Sequence, residues 1–152
     1  MVEIASYEYI IIGAGSAGCV LAYRLGERPE NNILVLEAGG KDHFWNWKIH
    51  MPAAFAYPLA DDKVNWAYHT GPEPFMDGRS MYCPRGRVIG GSSSINGMCY
   101  IRGHARDYDS WAQAGLRSWS YADILPYFRR AENHELGGDD YHGANGPLHV
   151  AH

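Results

Sequence analysis

Tyr9-Ile10-Ile11-Ile12-Gly13-Ala14-Gly15-Ser16-Ala17-Gly18 carries an apolar, β-branched run straight into three glycines spaced GxGxxG. Tyr7 to Ile12 reads as a strand, and as a buried one, because its second half does not alternate with polar residues. Beyond the glycines, Ala17, Leu21 and Leu25 recur every four residues with Val20 beside them, which predicts a helix from Ser16 to about Arg28. Pro29 and Asn31-Asn32 stop it. Ile33-Leu34-Val35-Leu36 is a second apolar strand, ending at Glu37-Ala38-Gly39-Gly40. Strand, helix and strand within residues 7–40 make a βαβ unit, which demands a parallel pair and a right-handed crossover. The expected class is α/β, a Rossmann-like βαβ unit followed by long glycine- and aromatic-rich loops and C-terminal helices.

A turn of this kind has a chemistry. Gly13 permits the sharp bend, Gly15 lets backbone reach a diphosphate, and Gly18 allows close helix–strand packing. The N–H groups of Ser16, Ala17 and Gly18 open the helix and face an anion with its positive dipole. Glu37 stands 19 residues past Gly18, at the strand end where a carboxylate accepts from ribose hydroxyls, with Ala38 beside it. The same carboxylate would face a 2′-phosphate, so the ligand is FAD or NAD rather than NADP.

Outward from this unit, composition excludes several classes. The 152 residues are 46% hydrophobic and 20% charged, as in soluble globular chains, so disorder and fibrous repeats are out. Thirteen Lys and Arg against seventeen Asp and Glu leave a formal charge of −4, with no basic run for a nucleic acid. No apolar stretch approaches the roughly 18 residues of a membrane span, and the first apolar run already holds the glycine motif, which argues against a secretory leader. Three widely spaced cysteines suit a reducing compartment. The expected location is cytoplasmic, with peripheral contact with an inner membrane left open. Metal-binding spacings such as CxxC or HExxH are missing, so no metal is assigned.

From Lys41 to about Gly103 regularity fades among Trp45, Trp47, Trp66 and five prolines. Strands are expected near Asn65–Thr70 and Ser80–Cys83, and Gly90–Met98 opens as a Gly/Ser turn into a short helix. Helical pattern returns at Ala105–Ala114 and Tyr121–Ala131. Ser120 and Asp123 are spaced to cap the second, and Pro126 predicts a kink inside it or an early restart. A last strand is expected at Pro147–Ala151. Two parallel strands and some sixty irregular residues make a poor self-contained domain, so the chain reads as the front of something larger.

The second chemical segment is Pro84-Arg85-Gly86-Arg87-Val88-Ile89-Gly90-Gly91-Ser92-Ser93-Ser94-Ile95-Asn96-Gly97-Met98-Cys99-Tyr100-Ile101-Arg102-Gly103. Its glycines and serines offer bare backbone and small donors, and Arg85 and Arg87 can offset phosphate charge. A nicotinamide enzyme does not need such a segment, whereas an extended flavin cofactor does. Trp45, Trp47, Trp66 and Tyr68 could form a cage for a quaternary ammonium, though packing around a cofactor accounts for the same rings. Cys19 and Cys99 read as small buried hydrophobes.

These segments resemble the N-terminal part of the glucose–methanol–choline oxidoreductases over essentially the whole chain. Finer stretches resemble the choline-oxidising members: Met51-Pro52-Ala53-Ala54, Asn65-Trp66-Ala67-Tyr68, Asn96 to Gly103, and Trp119 to Phe128. The resemblance implies a flavoprotein that oxidises a primary alcohol by hydride transfer to FAD, choline to betaine aldehyde, and passes electrons to an acceptor other than NAD. It implies that Gly13, Gly15 and Gly18 meet the FAD diphosphate and Glu37 the adenosine ribose. Trp66 and Arg85 join the cofactor site, and Val88, Gly91, Ser92, Asn96, Gly97, Met98 and Cys99 line its flavin end. Some relatives link FAD through a histidine where Ile95 stands, so FAD here is expected to be non-covalent. The family's catalytic histidine lies in a C-terminal part that residues 1–152 do not include, so no catalytic residue is assigned. His43, His50, His69, His104, His134, His142, His149 and His152 read as surface or loop residues. The rivals are an alcohol oxidase of the same family using another alcohol and O₂, a non-catalytic FAD- or ADP-binding fragment, and an NAD-dependent Rossmann dehydrogenase. The Gly90-Gly91-Ser92 segment speaks against the last.

Overall fold

In a computed structural model, residues 5–151 are described. They form two units by internal contact, Met1–Cys99 and Tyr100–His152. His152 lies outside the described residues.

In the first unit β1 (Tyr9–Ile12) pairs in parallel with β2 (Ile33–Leu36), Tyr9 opposite Ile33 and Ile12 opposite Leu36, across α1 (Ser16–Leu25). The expected strand, helix and strand are all present. The helix stops at Gly26 rather than near Arg28, and the first strand begins at Tyr9 rather than Tyr7. Its expected burial is corrected: only Ile11 is buried, and Ile12 is 86% exposed. A two-stranded sheet leaves β1 with one neighbour and one covered face, whereas continuous apolar runs belong to strands sheltered on both faces.

The stretch read as irregular holds two one-turn helices, α2 (Trp47–His50) and α3 (Ala56–Leu59), and single 3₁₀ turns at Pro52–Ala54 and Pro74–Met76. Prolines at the first position of those 3₁₀ turns have no N–H to leave unpaired. The antiparallel pair β3 (Tyr68–His69) and β4 (Tyr82–Cys83) is shorter than both expected strands. Gly91–Ser94 forms the 3₁₀ turn that opens the Gly/Ser segment.

The second unit is built on α4 (Ala105–Gln113) and α5 (Tyr121–Ala131), both closed by capping boxes. Ser120 Oγ accepts from Asp123 N–H at 3.3 Å, and Asp123 accepts from Ser120 N–H at 3.2 Å. His104 caps α4, its Nδ1 accepting from Arg106 N–H at 3.2 Å, a cap the sequence reading did not name. Pro126 causes no break, since α5 runs through it. The ring forfeits one backbone bond, and the cap and the Tyr108 ring packed on Tyr121 and Phe128 outweigh that loss. The last strand, β6 (Leu148–Val150), pairs in parallel with β5 (Glu132–His134), which follows α5 without a turn and showed no strand pattern of its own.

Candidate functional site

The glycine turn follows from three local demands. Gly13 N–H donates to Leu36 O at 2.7 Å, extending the β1–β2 ladder by one residue, and the chain then bends through φ +96°. That angle, not space, requires glycine, since a Cβ at Gly13 would meet nothing within 4 Å. At Gly18 the demand is space: a Cβ would stand 1.9 Å from the Gly13 carbonyl oxygen. Gly15 is different again. Its φ is −79°, and a Cβ there would find its nearest atom 3.9 Å away, so the protein alone tolerates a side chain. No side chain caps α1, whose N-terminal N–H groups therefore face the space beyond Gly15.

Across that space lies the second segment. Gly90 N–H donates to Ala14 O at 2.7 Å, and Ile89 N–H to Gly40 O at 3.0 Å. Gly91 turns through φ +59°, and a Cβ on it would lie 2.8 Å from Gly15 Cα. Val88 is buried behind it, and Ser92 Oγ accepts from Gly86 N–H at 3.0 Å. Two glycine-rich stretches seventy residues apart in sequence thus meet backbone to backbone.

Glu37 closes the third side. Its Oε2 accepts from Ala14 N–H at 2.7 Å and its Oε1 from Gly39 N–H at 2.8 Å. The carboxylate therefore ties the end of β2 to the glycine turn, a structural duty the sequence reading did not include. A carboxylate has about four acceptor positions, so two remain for a ligand's hydroxyls. The cleft these elements enclose measures about 600 Å³. Gly13, Gly15, Ser16, Ala17, Gly18, Glu37, Ala38, Trp66, Gly91 and Ser92 line it, with Ile12, Leu36 and Gly86. Bare backbone, a helix N-terminus and one carboxylate suit a diphosphate flanked by a ribose, and the residues present fit an adenine dinucleotide.

The other proposed site residues lie elsewhere. Arg85 folds onto its own neighbour, Nη1 donating to Pro84 O at 2.7 Å. Asn96 and Met98 line a separate cleft of about 250 Å³ with Asp42, His50 and Met51, beside the buried Ile95. Gly97 and Cys99 line neither; Cys99 Sγ reaches only the Gly97 carbonyl, at 3.6 Å. The four rings proposed as a cage pair off instead: Trp45 stacks on His43, Trp47 meets Tyr57, and Trp66 lies parallel to Tyr68. Cys19 and Cys99 are exposed, which corrects their reading as buried; Cys19 Sγ donates to Ala14 O at 3.2 Å from the open side of α1.

Residues 7–152 match the family model described as GMC oxidoreductase. The chain belongs to the GMC oxidoreductase family. It is 58% identical over 150 residues to the mitochondrial choline dehydrogenase of Mus musculus, covering 95% of this chain and 25% of that protein. It is 59% identical over 145 residues to the oxygen-dependent choline dehydrogenase of Escherichia coli (strain K12 / DH10B), covering 95% and 26%. Among solved structures, pyridoxine 4-oxidase from Mesorbium loti superimposes with a TM-score of 0.86 at 40% identity, over 95% of this chain and 28% of that one. The chain spans about a quarter of the length of the curated relatives it matches. Ile12 and Leu36, which the sequence reading passed over, line this GMC cleft because ligands of parallel sheets sit beyond the carboxyl ends of the strands. Among the described residues no helix is long and apolar enough to cross a membrane.

The second unit of this GMC chain holds a different constellation. Glu132, fully buried, accepts from the Arg102 guanidinium, from Gly143 N–H at 3.0 Å and from His142 Nδ1 at 3.0 Å. Burial alone would raise its pKa; the His142 and Gly143 hydrogen bonds and the Arg102 charge outweigh that and hold the carboxyl below its ordinary range. His134, in β5, and His142, in the loop beyond it, are half-buried around it with their ring centroids 4.8 Å apart. Glu132, His134 and His142 offer three ligand atoms within 4.8 Å of one another, the one such group among the described residues. Yet the carboxylate already serves three donors, one a cation, so the group reads as an ion-pair tie.

Proposed function

We propose that the 600 Å³ cleft holds the ADP half of FAD, and that this chain is the dinucleotide-binding part of a flavin enzyme oxidising a primary alcohol. The observation that carries this reading is the meeting of the Gly13–Gly18 turn with Gly90-Gly91-Ser92 across the cleft, on a chain of the GMC family. Bound FAD supplies the acceptor for a hydride from the carbinol carbon. The chain's own residues bind and orient: the N–H groups opening α1 meet the diphosphate, and Glu37 accepts from the adenosine ribose while holding Ala14 in place. The names of the curated relatives make choline the substrate of choice, with betaine aldehyde the product. The base that removes the hydroxyl proton, the substrate pocket and the route to an electron acceptor other than NAD fall to sequence beyond these residues. Ile95 is buried and its alkyl side chain cannot form the histidyl link that the family resemblance allows at this position in some members, so the FAD is non-covalent on this reading.

Titration of the full-length parent with FAD, with NAD and NADP as controls, is the direct test. Saturable FAD binding without NAD or NADP binding is expected, and the converse order would reject the reading. Acid precipitation of the loaded protein leaves the yellow chromophore in the supernatant. Dye reduction with choline and FAD is expected to need a C-terminal complement, and turnover by this chain alone would require a base within it.

A further inference from the structure

We propose that Asn65 and Arg87 are positioning residues of the dinucleotide cleft, which together fix the Trp66 indole as a preformed wall. The inference rests on the reading of that cleft as an FAD site. Trp66 lines it, on a segment far in sequence from the glycine turn. That segment is held by backbone bonds to the Arg85–Arg87 stretch: Trp66 N–H donates to Arg85 O at 2.8 Å, and Arg87 N–H to Val64 O at 2.7 Å. Asn65, 2% exposed, locks the pair. Its Nδ2 donates to Leu59 O at 2.8 Å and to the Tyr82 hydroxyl at 2.7 Å. Its Oδ1 accepts from Ala67 N–H at 3.0 Å and Arg85 N–H at 2.9 Å. Four bonds saturate the carboxamide. They also hold Ala67 at φ +52°, a left-handed conformation that a non-glycine residue keeps only when its surroundings impose it.

With the backbone fixed, the ring is fixed as well. The Arg87 guanidinium lies 5.3 Å from the centroid of Trp66 and is anchored at its other end on the Asp62 carbonyl. Tyr68 lies parallel to the indole, with centroids 5.9 Å apart and 5° between the planes. An indole held before the ligand arrives loses no rotamer freedom on binding, which is the gain of preorganisation. The guanidinium also sets a positive charge one ring away from an anionic ligand without using the ligand's own acceptors.

Plain packing would place these groups similarly, so the test must separate folding from binding. ADP and FAD titrations of the full-length parent, unsubstituted and as Arg87→Met, Arg87→Lys, Trp66→Leu and the Arg87→Met/Trp66→Leu double variant, do so, each beside a denaturant melt. Arg87→Met is expected to weaken ADP and FAD about threefold to tenfold, with Arg87→Lys recovering most of the loss. In the Trp66→Leu background Arg87→Met should cost nothing further, the signature of two residues acting as one device. Asn65→Asp keeps the acceptor and loses both donors. It should weaken ADP in proportion to FAD if it folds, and the Arg87 series decides the matter if it does not. Unchanged affinity in Arg87→Met, or full additivity with Trp66→Leu, overturns the proposal while leaving the FAD reading intact. Failure of the unsubstituted chain, joined to its C-terminal complement, to bind either ligand overturns the FAD reading and this proposal together.

Discussion

The two units solve opposite problems. The cleft between the glycine segments is made by leaving atoms out: Gly18, Gly86 and Gly91 stand where a Cβ would strike backbone at 1.9 Å, 2.1 Å and 2.8 Å. The second unit is made by putting charges in, with Glu132 buried among Arg102, His142 and the Gly143 N–H. The first fails when a methyl group is added; the second also has no room for one at Gly143, where a Cβ would stand 1.8 Å from the Arg129 carbonyl oxygen, but fails as well when a charged partner is removed. Substitutions in the first unit should therefore be read in ligand affinity as well as stability, and those around Glu132 in stability.

The largest effect is expected from Glu132→Ala. It strands the Arg102 guanidinium, itself only 12% exposed, and breaking such a pair costs about 3–5 kcal/mol of stability. Denaturant melts check it, and a loss under about 1 kcal/mol would erase the contrast between the units. The same pair makes a pH prediction. The Glu132 carboxyl titrates below its ordinary range in the folded chain, so on acidification the unfolded chain takes up its proton first. Its contribution is complete above the ordinary carboxylate value and fades as pH falls through the lowered one. Stability measured against pH should flatten there in Glu132→Gln.

Next comes Gly18→Ala, whose methyl group meets a backbone oxygen rather than a movable side chain. About 1–3 kcal/mol of destabilisation is expected, with FAD affinity falling alongside as the turn shifts. Gly15→Ala sharpens the contrast. The protein has room for this methyl, so the melt should move by less than about 0.5 kcal/mol. A diphosphate drawn against that backbone has no such room, and FAD affinity should drop by about tenfold or more, some 1.4 kcal/mol. Equal affinity in Gly15→Ala and the unsubstituted chain would remove the diphosphate from the turn. The smallest expected effect is Ser120→Ala, which uncaps α5 for about 1 kcal/mol and leaves ADP and FAD affinity unchanged.

The βαβ unit was legible because every signal in residues 7–40 is local: β-branched runs, four-residue apolar spacing, glycines at a turn, an acid at a strand end. The capped helices were legible for the same reason. Ser120 and Asp123 act across three residues, and the structure shows both bonds. What the local signals missed has a shared cause. Ile12 looks like a core residue, and only the absence of a second neighbouring strand among the described residues makes it exposed. Pro126 could have restarted the helix, and the structure shows α5 running through it with the Tyr108 ring packed on Phe128. His142 is a loop residue as expected, and only the return of the chain past Glu132 gives it a buried partner. Asn65 carries no motif beyond its place before Trp66, yet it makes four bonds to three separate stretches.

Residue spacing alone was enough for the α/β class, the glycine turn and the carboxylate at the end of β2. These depend on interactions within a few residues, or on one crossover whose hand the chain's chirality dictates. That Gly90 and Gly91 dock on Ala14 and Gly15, that Glu37 also bonds Ala14, and that Trp66 becomes a wall of the same cleft were decided by the tertiary structure. Each brings together residues twenty or more positions apart. Contacts at that distance are chosen by competition among all the surfaces the chain must bury, and no local pattern records the outcome.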